Sequence, residues 1–164
     1  MQQDKEHILP NTFIIGAPKS GTSSMASYLG EHPDVFVSDP KEPFFWSDDY
    51  PKLKLRFGMT SLDKYLEIYS QDGAARKIRI DGSTNYLASN IAVCNILRHQ
   101  PNAKFIVMLR NPVEVVQAFH AEVVFSGIET EFNFERAWEL QFARQRNPNL
   151  NPLYCEAPQF LQYA

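Results

Sequence analysis

The chain has 164 residues, of which 44% are hydrophobic and 21% charged, and this composition suits one globular domain and excludes wholesale disorder. A net charge of −3 argues against a general nucleic-acid binder. The amino-terminal segment is polar, and the chain has two cysteines, Cys94 and Cys155, which favours a cytoplasmic protein. No run of about 20 apolar residues occurs, so no membrane span is expected.

Predicted strands and helices alternate along the chain. Strands are expected at residues 12–16, 34–37, 77–81 and 104–109, and the last of these, KFIVML, is the clearest buried strand. Helices are expected over residues 20–30, 62–69, 89–99 and 133–146, and a further one begins at Pro112 with Asn111 as its cap. This alternation predicts an α/β fold of the P-loop type, a three-layer α/β/α arrangement with a central parallel sheet. Ligands of such sheets bind at the carboxyl ends of the strands.

The turn after the first strand, GAPKSGTSS, is predicted to hold a phosphate. Gly21 lets the backbone approach an anion, and the amides at the start of the next helix favour negative charge. Lys19 adds a positive charge, and the hydroxyls of Thr22 and Ser23 can donate to phosphate oxygens. The turn differs from a nucleoside-triphosphatase loop, which needs lysine directly after the second glycine, where Thr22 stands here. An ordinary helix cap is the alternative interpretation.

Two further segments carry candidate chemistry. Arg110 follows the strand KFIVML and precedes a helix amino terminus, so it is a candidate second anion site. Glu42 lies in the aromatic segment KEPFFW, and an apolar setting prepares a carboxylate to act as a general base. The neighbouring Lys41 opposes that effect, and a surface Lys–Glu pair is the equal alternative.

Four segments together resemble the sulfotransferase family, in particular the branch that holds heparan-sulfate and soluble bacterial sulfotransferases. The segment IIGAPKSGTSSM is similar to the family's 5′-phosphosulfate loop, and PKEPFFW to its catalytic-base segment. The segment IDGSTNYL resembles the segment that comes after the next strand in the family. The segment KFIVMLRNPVEVVQAF resembles the family's 3′-phosphate segment. Their order and spacing agree from about residue 12 to about residue 120.

The resemblance implies a transferase that uses 3′-phosphoadenosine-5′-phosphosulfate (PAPS) and needs no metal. It implies that Lys19 stabilises the leaving phosphate, that Arg110 binds the 3′-phosphate and that Glu42 removes the acceptor's proton during in-line transfer. The 5′-phosphate would be bound by Lys19 with Ser20, Gly21, Thr22, Ser23 and Ser24.

The acceptor implied by the resemblance is an alcohol or amine on a small molecule, lipid or carbohydrate. Asp81 and Tyr86, in the segment IDGSTNYL, would contribute to binding it. The family's 3′-phosphate serine is replaced by Ala118, which removes one hydroxyl donor, and Gly82 stands where a lysine is common. Residues 1–164 are expected to form a single sulfotransferase-like domain that lacks a carboxyl-terminal portion.

Two alternative functions stay open at this point. A P-loop kinase for a small molecule or nucleotide would need a carboxylate for Mg²⁺, and Asp81 at a strand end could supply it. A catalytically silent nucleotide-binding or scaffold protein would explain Ala118. The basic runs at 52–56 and 76–79 could guide an anionic acceptor or simply be solvated, and Cys94 is expected in the core.

Overall fold

The computed structural model describes residues 8–56, 58–70 and 72–152 of the chain, so Cys155 lies outside the described residues. The chain divides into two compact units, Met1–Leu109 and Arg110–Ala164. The first unit contains a sheet with helices, and the described part of the second unit is helical.

Strands and helices alternate through the first unit. Its elements are β1 (Thr12–Gly16), α1 (Thr22–Gly30), β2 (Val35–Val37), α2 (Pro51–Arg56), α3 (Leu62–Ser70), β3 (Ile78–Asp81), a 3₁₀ helix (Thr84–Leu87), α4 (Ala92–His99) and β4 (Lys104–Val107). The four predicted strands are therefore present. The sequence does not predict α2 or the 3₁₀ helix, because PKLKLR alternates like a strand and TNYL is too short for a helical period.

The four strands form one parallel sheet in the order β2-β3-β1-β4. The carboxyl ends of β1, β2 and β3 therefore meet at the same edge, where the loops after these strands begin. Within the described residues β4 pairs only with β1 and has two partly exposed and two exposed residues. The expectation that KFIVML is a buried strand is therefore wrong, because a continuous apolar run does not reveal that a strand lies at a sheet edge.

Helices cover both faces of the sheet. Phe13 and Ile15 of β1 pack in a cluster with residues of α3, the 3₁₀ helix and α4. Ile14, between them, packs in a second cluster with Ala26 of α1. Because alternate residues of a strand point to opposite faces, β1 contributes to both hydrophobic cores. The predicted three-layer α/β/α fold with a central parallel sheet is confirmed.

The second unit contains α5 (Pro112–Phe125), α6 (Phe134–Arg146) and a short 3₁₀ helix (Pro148–Leu150). The side chain of Asn111 accepts a hydrogen bond from the amide of Val113 at 3.0 Å, as the predicted cap of α5 requires. Val123 of α5 and Ala137 of α6 are buried together. The second unit also contains a buried ion pair. Arg144 donates to both carboxylate oxygens of Glu129, at 2.6 and 3.0 Å.

Cys94 is exposed, so the prediction that it belongs to the core is wrong. The buried residues of α4 are Ala92 and Ile96, four positions apart on one face of the helix. Cys94 lies two positions from each and therefore points away from that face.

Candidate active site

The loop between β1 and α1 is held at its start by two backbone hydrogen bonds. Gly16 accepts a hydrogen bond from the amide of Met108 at 2.8 Å, and the amide of Ala17 donates to the carbonyl of Met108 at 2.7 Å. Gly16 has φ +145°, and a Cβ atom placed there would lie 2.7 Å from the carbonyl oxygen of Thr84. Glycine is needed at this position because β1 ends in direct contact with the 3₁₀ helix.

The amino terminus of α1 is open for an anion. Its cap position is Gly21, with φ +82°, and no side chain caps the helix. The first-turn amides of Thr22, Ser23 and Ser24 have no intrahelical carbonyl to bind. A glycine cap also agrees with the alternative of an ordinary helix cap, so the phosphate-binding role of this turn stays a prediction. Ser23 and Ser24 are exposed, whereas Ser20 and Thr22 are buried.

Lys19, two residues before Gly21, brings a positive charge to the loop in the left-handed backbone conformation, with φ +59°. This conformation costs of order 1–3 kcal/mol for a residue other than glycine, and such outliers concentrate at ligand-binding sites. Lysine, open helix amides and a positive helix end in one turn are the features that bind a phosphate group.

Glu42 lies in the loop after β2, and both of its carboxylate oxygens have a partner. Oε1 accepts a hydrogen bond from Lys41 Nζ at 2.8 Å, and Oε2 accepts one from the hydroxyl of Thr84 at 3.0 Å. The Glu42 side chain keeps 28% of its surface exposed. These contacts orient the carboxylate and leave it in touch with solvent.

The aromatic residues that follow Glu42 do not enclose it in an apolar pocket. Phe45 and Trp46 belong to the hydrophobic core, where Phe45 stacks on Tyr65 at a centroid distance of 4.5 Å. The expectation that the aromatic segment provides an apolar setting for Glu42 is therefore not met. The Lys41–Glu42 pair of the alternative interpretation is present, and core packing accounts for Phe45 and Trp46.

Thr84 connects the two halves of the candidate site. Its backbone carbonyl contacts the end of β1 at Gly16, and its hydroxyl binds Glu42. The start of the loop that carries Lys19 and the carboxylate of Glu42 thus both lie next to one residue of the 3₁₀ helix. The structure therefore brings the Lys19 loop and Glu42 to the same edge of the sheet.

Asp81, at the end of β3, is fully buried and accepts four hydrogen bonds. Oδ1 accepts from the amide and hydroxyl of Ser83 at 3.0 and 2.6 Å, and Oδ2 accepts from the hydroxyls of Tyr65 and Tyr86 at 2.7 and 3.0 Å. Burial raises the pKa of Asp81 from 3.8 to about 6, although these four bonds act in the opposite direction. Burial, followed by the charge of Asp81, also raises the pKa of both tyrosines.

The predicted role of Asp81 and Tyr86 in binding an acceptor does not agree with this geometry. Both side chains have 0% exposure, and their polar atoms bind each other and neighbouring groups. The same burial leaves Asp81 no open coordination position for Mg²⁺, which weakens the kinase alternative.

Arg110 belongs to the second unit and pairs with Glu114 one turn into α5. Its Nε and Nη2 atoms both lie 2.7 Å from Glu114 Oε2, and the Arg110 side chain is 47% exposed. An exposed pair of this kind contributes roughly 0.2–1 kcal/mol. Ala118, two turns along α5 from Arg110, is half-buried.

The residues missed by sequence reasoning are Thr84 and Ser83, which hold Glu42 and Asp81. Two hydroxyl residues directly after an aspartate at a strand end are the signal that could have identified them, since such side chains bind nearby backbone and carboxylate groups. The basic run at 76–79 is used in structural contacts: Lys77 pairs with Asp34 at 2.9 Å, and Arg79 donates to the carbonyl of Leu9 at 2.9 Å.

In the part of the chain that the structure describes, no three His, Cys, Asp or Glu side chains come together in a group that could hold a metal ion. None of the helices described has both the length and the apolar character that crossing a membrane requires.

Comparisons with known proteins point to one family. Carbohydrate sulfotransferase 15 of Homo sapiens is 30% identical over 146 residues, an alignment that covers 65% of this chain and 26% of that protein. Bifunctional heparan sulfate N-deacetylase/N-sulfotransferase 1 of Homo sapiens is 28% identical over 112 residues, covering 64% of this chain and 12% of that protein. The chain therefore spans about a quarter or less of the length of these relatives.

A solved structure agrees with these relatives. The sulfotransferase from Alicyclobacillus acidocaldarius superposes with a TM-score of 0.76 and 28% sequence identity, over 92% of this chain and 63% of that one. No protein-family model matches the chain.

Proposed function

Since the chain is related to the sulfotransferases, as its sequence predicts, we propose that it transfers a sulfuryl group from PAPS to an alcohol or amine of a carbohydrate acceptor. The relatives named above are carbohydrate and heparan sulfate sulfotransferases, which supports a carbohydrate as the acceptor. The observation that carries the proposal is that Thr84 binds Glu42 through its hydroxyl and lies against Gly16, where the Lys19 loop begins.

The residues divide the work of the transfer. Lys19 and the open amides of α1 hold the 5′-phosphate, and Lys19 offsets the charge that grows on it as the bond to sulfur breaks. Glu42 accepts the proton of the acceptor hydroxyl or amine while the new bond to sulfur forms, which leaves adenosine-3′,5′-bisphosphate as the second product. Arg110 is assigned to the 3′-phosphate on the sequence resemblance.

A catalytically silent nucleotide-binding protein is the second candidate, and Ala118 is the observation that favours it. A serine at this position would supply a hydroxyl donor that alanine lacks. Binding of adenosine-3′,5′-bisphosphate without sulfuryl transfer would select this candidate. The cytoplasmic location expected from the sequence stays a prediction.

Two measurements on the whole chain test the proposal. Calorimetry in EDTA compares adenosine-3′,5′-bisphosphate with adenosine-5′-phosphate, and we expect the bisphosphate to bind more tightly because a second phosphate is bound. Transfer of ³⁵S from labelled PAPS to desulfated heparin, which offers both hydroxyls and amines, reports the reaction. Binding that requires Mg²⁺ would favour a kinase, and equal affinities would remove the second phosphate site.

Lys19→Ala is expected to weaken nucleotide binding and to lower transfer. Lys77→Ala is the matched control, because it removes the same charge at a different place. Lys77 lies directly before β3, whereas the loops of the site follow the carboxyl ends of the strands. Equal behaviour of the two variants would contradict the role of Lys19.

A further inference from the structure

The buried carboxylate of Asp81 is connected to the backbone of the segment that carries Glu42. The amide of Phe44 donates to the hydroxyl of Ser83 at 3.0 Å, and the amide of Trp46 donates to the hydroxyl of Tyr86 at 3.3 Å. Both hydroxyls in turn donate to Asp81. Two chains of hydrogen bonds thus run from one carboxylate to the amides two and four residues after Glu42.

The charge of Asp81 sets the direction of these bonds. A hydroxyl group has one proton, and when it gives that proton to a carboxylate its lone pairs face outward to accept from an amide. An ionised carboxylate can only accept, so it orients the Ser83 and Tyr86 hydroxyls as acceptors for the two amides. A neutral amide in place of Asp81 would supply a donor of its own and lose part of this orientation.

The segment needs this support because its backbone is strained. Phe44 has φ +55°, a conformation that costs of order 1–3 kcal/mol for a residue other than glycine. The strained residue lies two positions after Glu42, and its amide is the one that Ser83 binds. A second support comes from the same segment of the chain, since Thr84 binds the Glu42 carboxylate itself.

We infer that Asp81 is a positioning residue for Glu42, acting through the hydroxyls of Ser83 and Tyr86 on the backbone of residues 44–46. This inference rests on the proposed function and explains why a buried aspartate, serine and tyrosine stand at the edge of the site. These residues hold the base in place and do not touch an acceptor.

The test compares variants that each remove one hydroxyl. Ser83→Ala and Tyr86→Phe each remove one of the two chains and leave Asp81 and Glu42 in place. We expect each variant to lower kcat for ³⁵S transfer from PAPS to desulfated heparin by roughly 10–100-fold, because a misplacement of about 1 Å has that effect on a catalytic group. The affinity for adenosine-3′,5′-bisphosphate is expected to stay within about two-fold, since the Lys19 loop is unchanged.

Tyr69→Phe is the matched control, because Tyr69 is equally buried in the same aromatic cluster and its hydroxyl lies outside the two chains. Ser83→Thr keeps the hydroxyl and is expected to retain most of the activity that Ser83→Ala loses. Amide hydrogen exchange supplies a readout independent of activity: Tyr86→Phe should reduce protection at the Trp46 amide, and Ser83→Ala at the Phe44 amide.

The outcomes separate this inference from the proposed function. Unchanged kcat in both Ser83→Ala and Tyr86→Phe, in a protein that transfers sulfate, overturns the inference alone. An equal loss in Tyr69→Phe also overturns it, because a general effect of core packing would then explain the result. Absence of transfer by the unsubstituted protein overturns the proposed function and this inference with it.

Discussion

Replacing Asp81 by asparagine tests the energetic consequence of its burial. The pKa of Asp81 is raised to about 6 in the folded chain, against 3.8 for an exposed aspartate, mainly because burial penalises the charged form. Between these two values the folded state binds a proton that the unfolded state does not, so this group stabilises the fold as the pH falls. The side-chain amide of the Asp81→Asn variant has no proton to gain.

The size of the effect follows from the two pKa values. The difference between pKa values of about 6 and 3.8 corresponds to about 3 kcal/mol in the free energy of unfolding. Roughly 1 kcal/mol of this change occurs between pH 7 and pH 5. We therefore expect the free energy of unfolding of the unsubstituted chain, relative to Asp81→Asn, to rise by about 1 kcal/mol as the pH is lowered from 7 to 5. Urea denaturation at several pH values measures it.

Asp34→Asn is the matched control with the opposite sign. The Asp34 side chain keeps 42% of its surface exposed, and its hydrogen bond with Lys77 lowers its pKa. Its contribution to the free energy of unfolding is therefore present at neutral pH and is lost as the pH falls through that lowered pKa. The reasoning would be refuted if the difference in free energy of unfolding between Asp81→Asn and the unsubstituted chain stayed constant with pH. It would also be refuted by a difference that changes in the same direction as for Asp34→Asn.

Three further substitutions have defined outcomes. Arg144→Ala removes the positive charge that is paired with the buried Glu129 and should lower the free energy of unfolding by about 3–5 kcal/mol in urea denaturation. A loss below about 1 kcal/mol would contradict a stabilising role of the buried pair. Gly16→Ala places a Cβ atom 2.7 Å from the carbonyl of Thr84 and should cost about 1–3 kcal/mol by the same assay, whereas an unchanged midpoint would argue against this contact. Ala118→Ser should tighten calorimetric binding of adenosine-3′,5′-bisphosphate by about 0.5–1.5 kcal/mol and leave adenosine-5′-phosphate unaffected, and weaker binding would place the new hydroxyl away from the phosphate.

The fold could be predicted from the sequence because its signals are local. The run TFIIG reads as a buried strand, and Asn111 with Pro112 marks a helix start, so both elements lie where the pattern places them. The exposure of β4 could not be predicted, because strand order is set by pairings between distant parts of the chain.

The candidate site was less accessible to sequence reasoning for the same reason. The Lys19 loop is one continuous turn, so its parts are visible together in the sequence. The environment of Glu42 depends on Thr84, 42 positions away, and the burial of Asp81 depends on tyrosines from two other elements. The motif identifies these residues as a group, but only the packing shows that Asp81 and Tyr86 are internal.

Sulfuryl transfer by Glu42→Gln, measured beside its nucleotide affinity, is the most direct test of the central claim. Glutamine keeps the size of the side chain and cannot accept the acceptor's proton, so transfer from PAPS to desulfated heparin should fall by roughly 10²–10⁴-fold. Affinity for adenosine-3′,5′-bisphosphate should stay nearly constant, and Glu67→Gln on the exposed face of α3 should change neither quantity. Near-normal transfer by Glu42→Gln would contradict the assignment of Glu42 as the base.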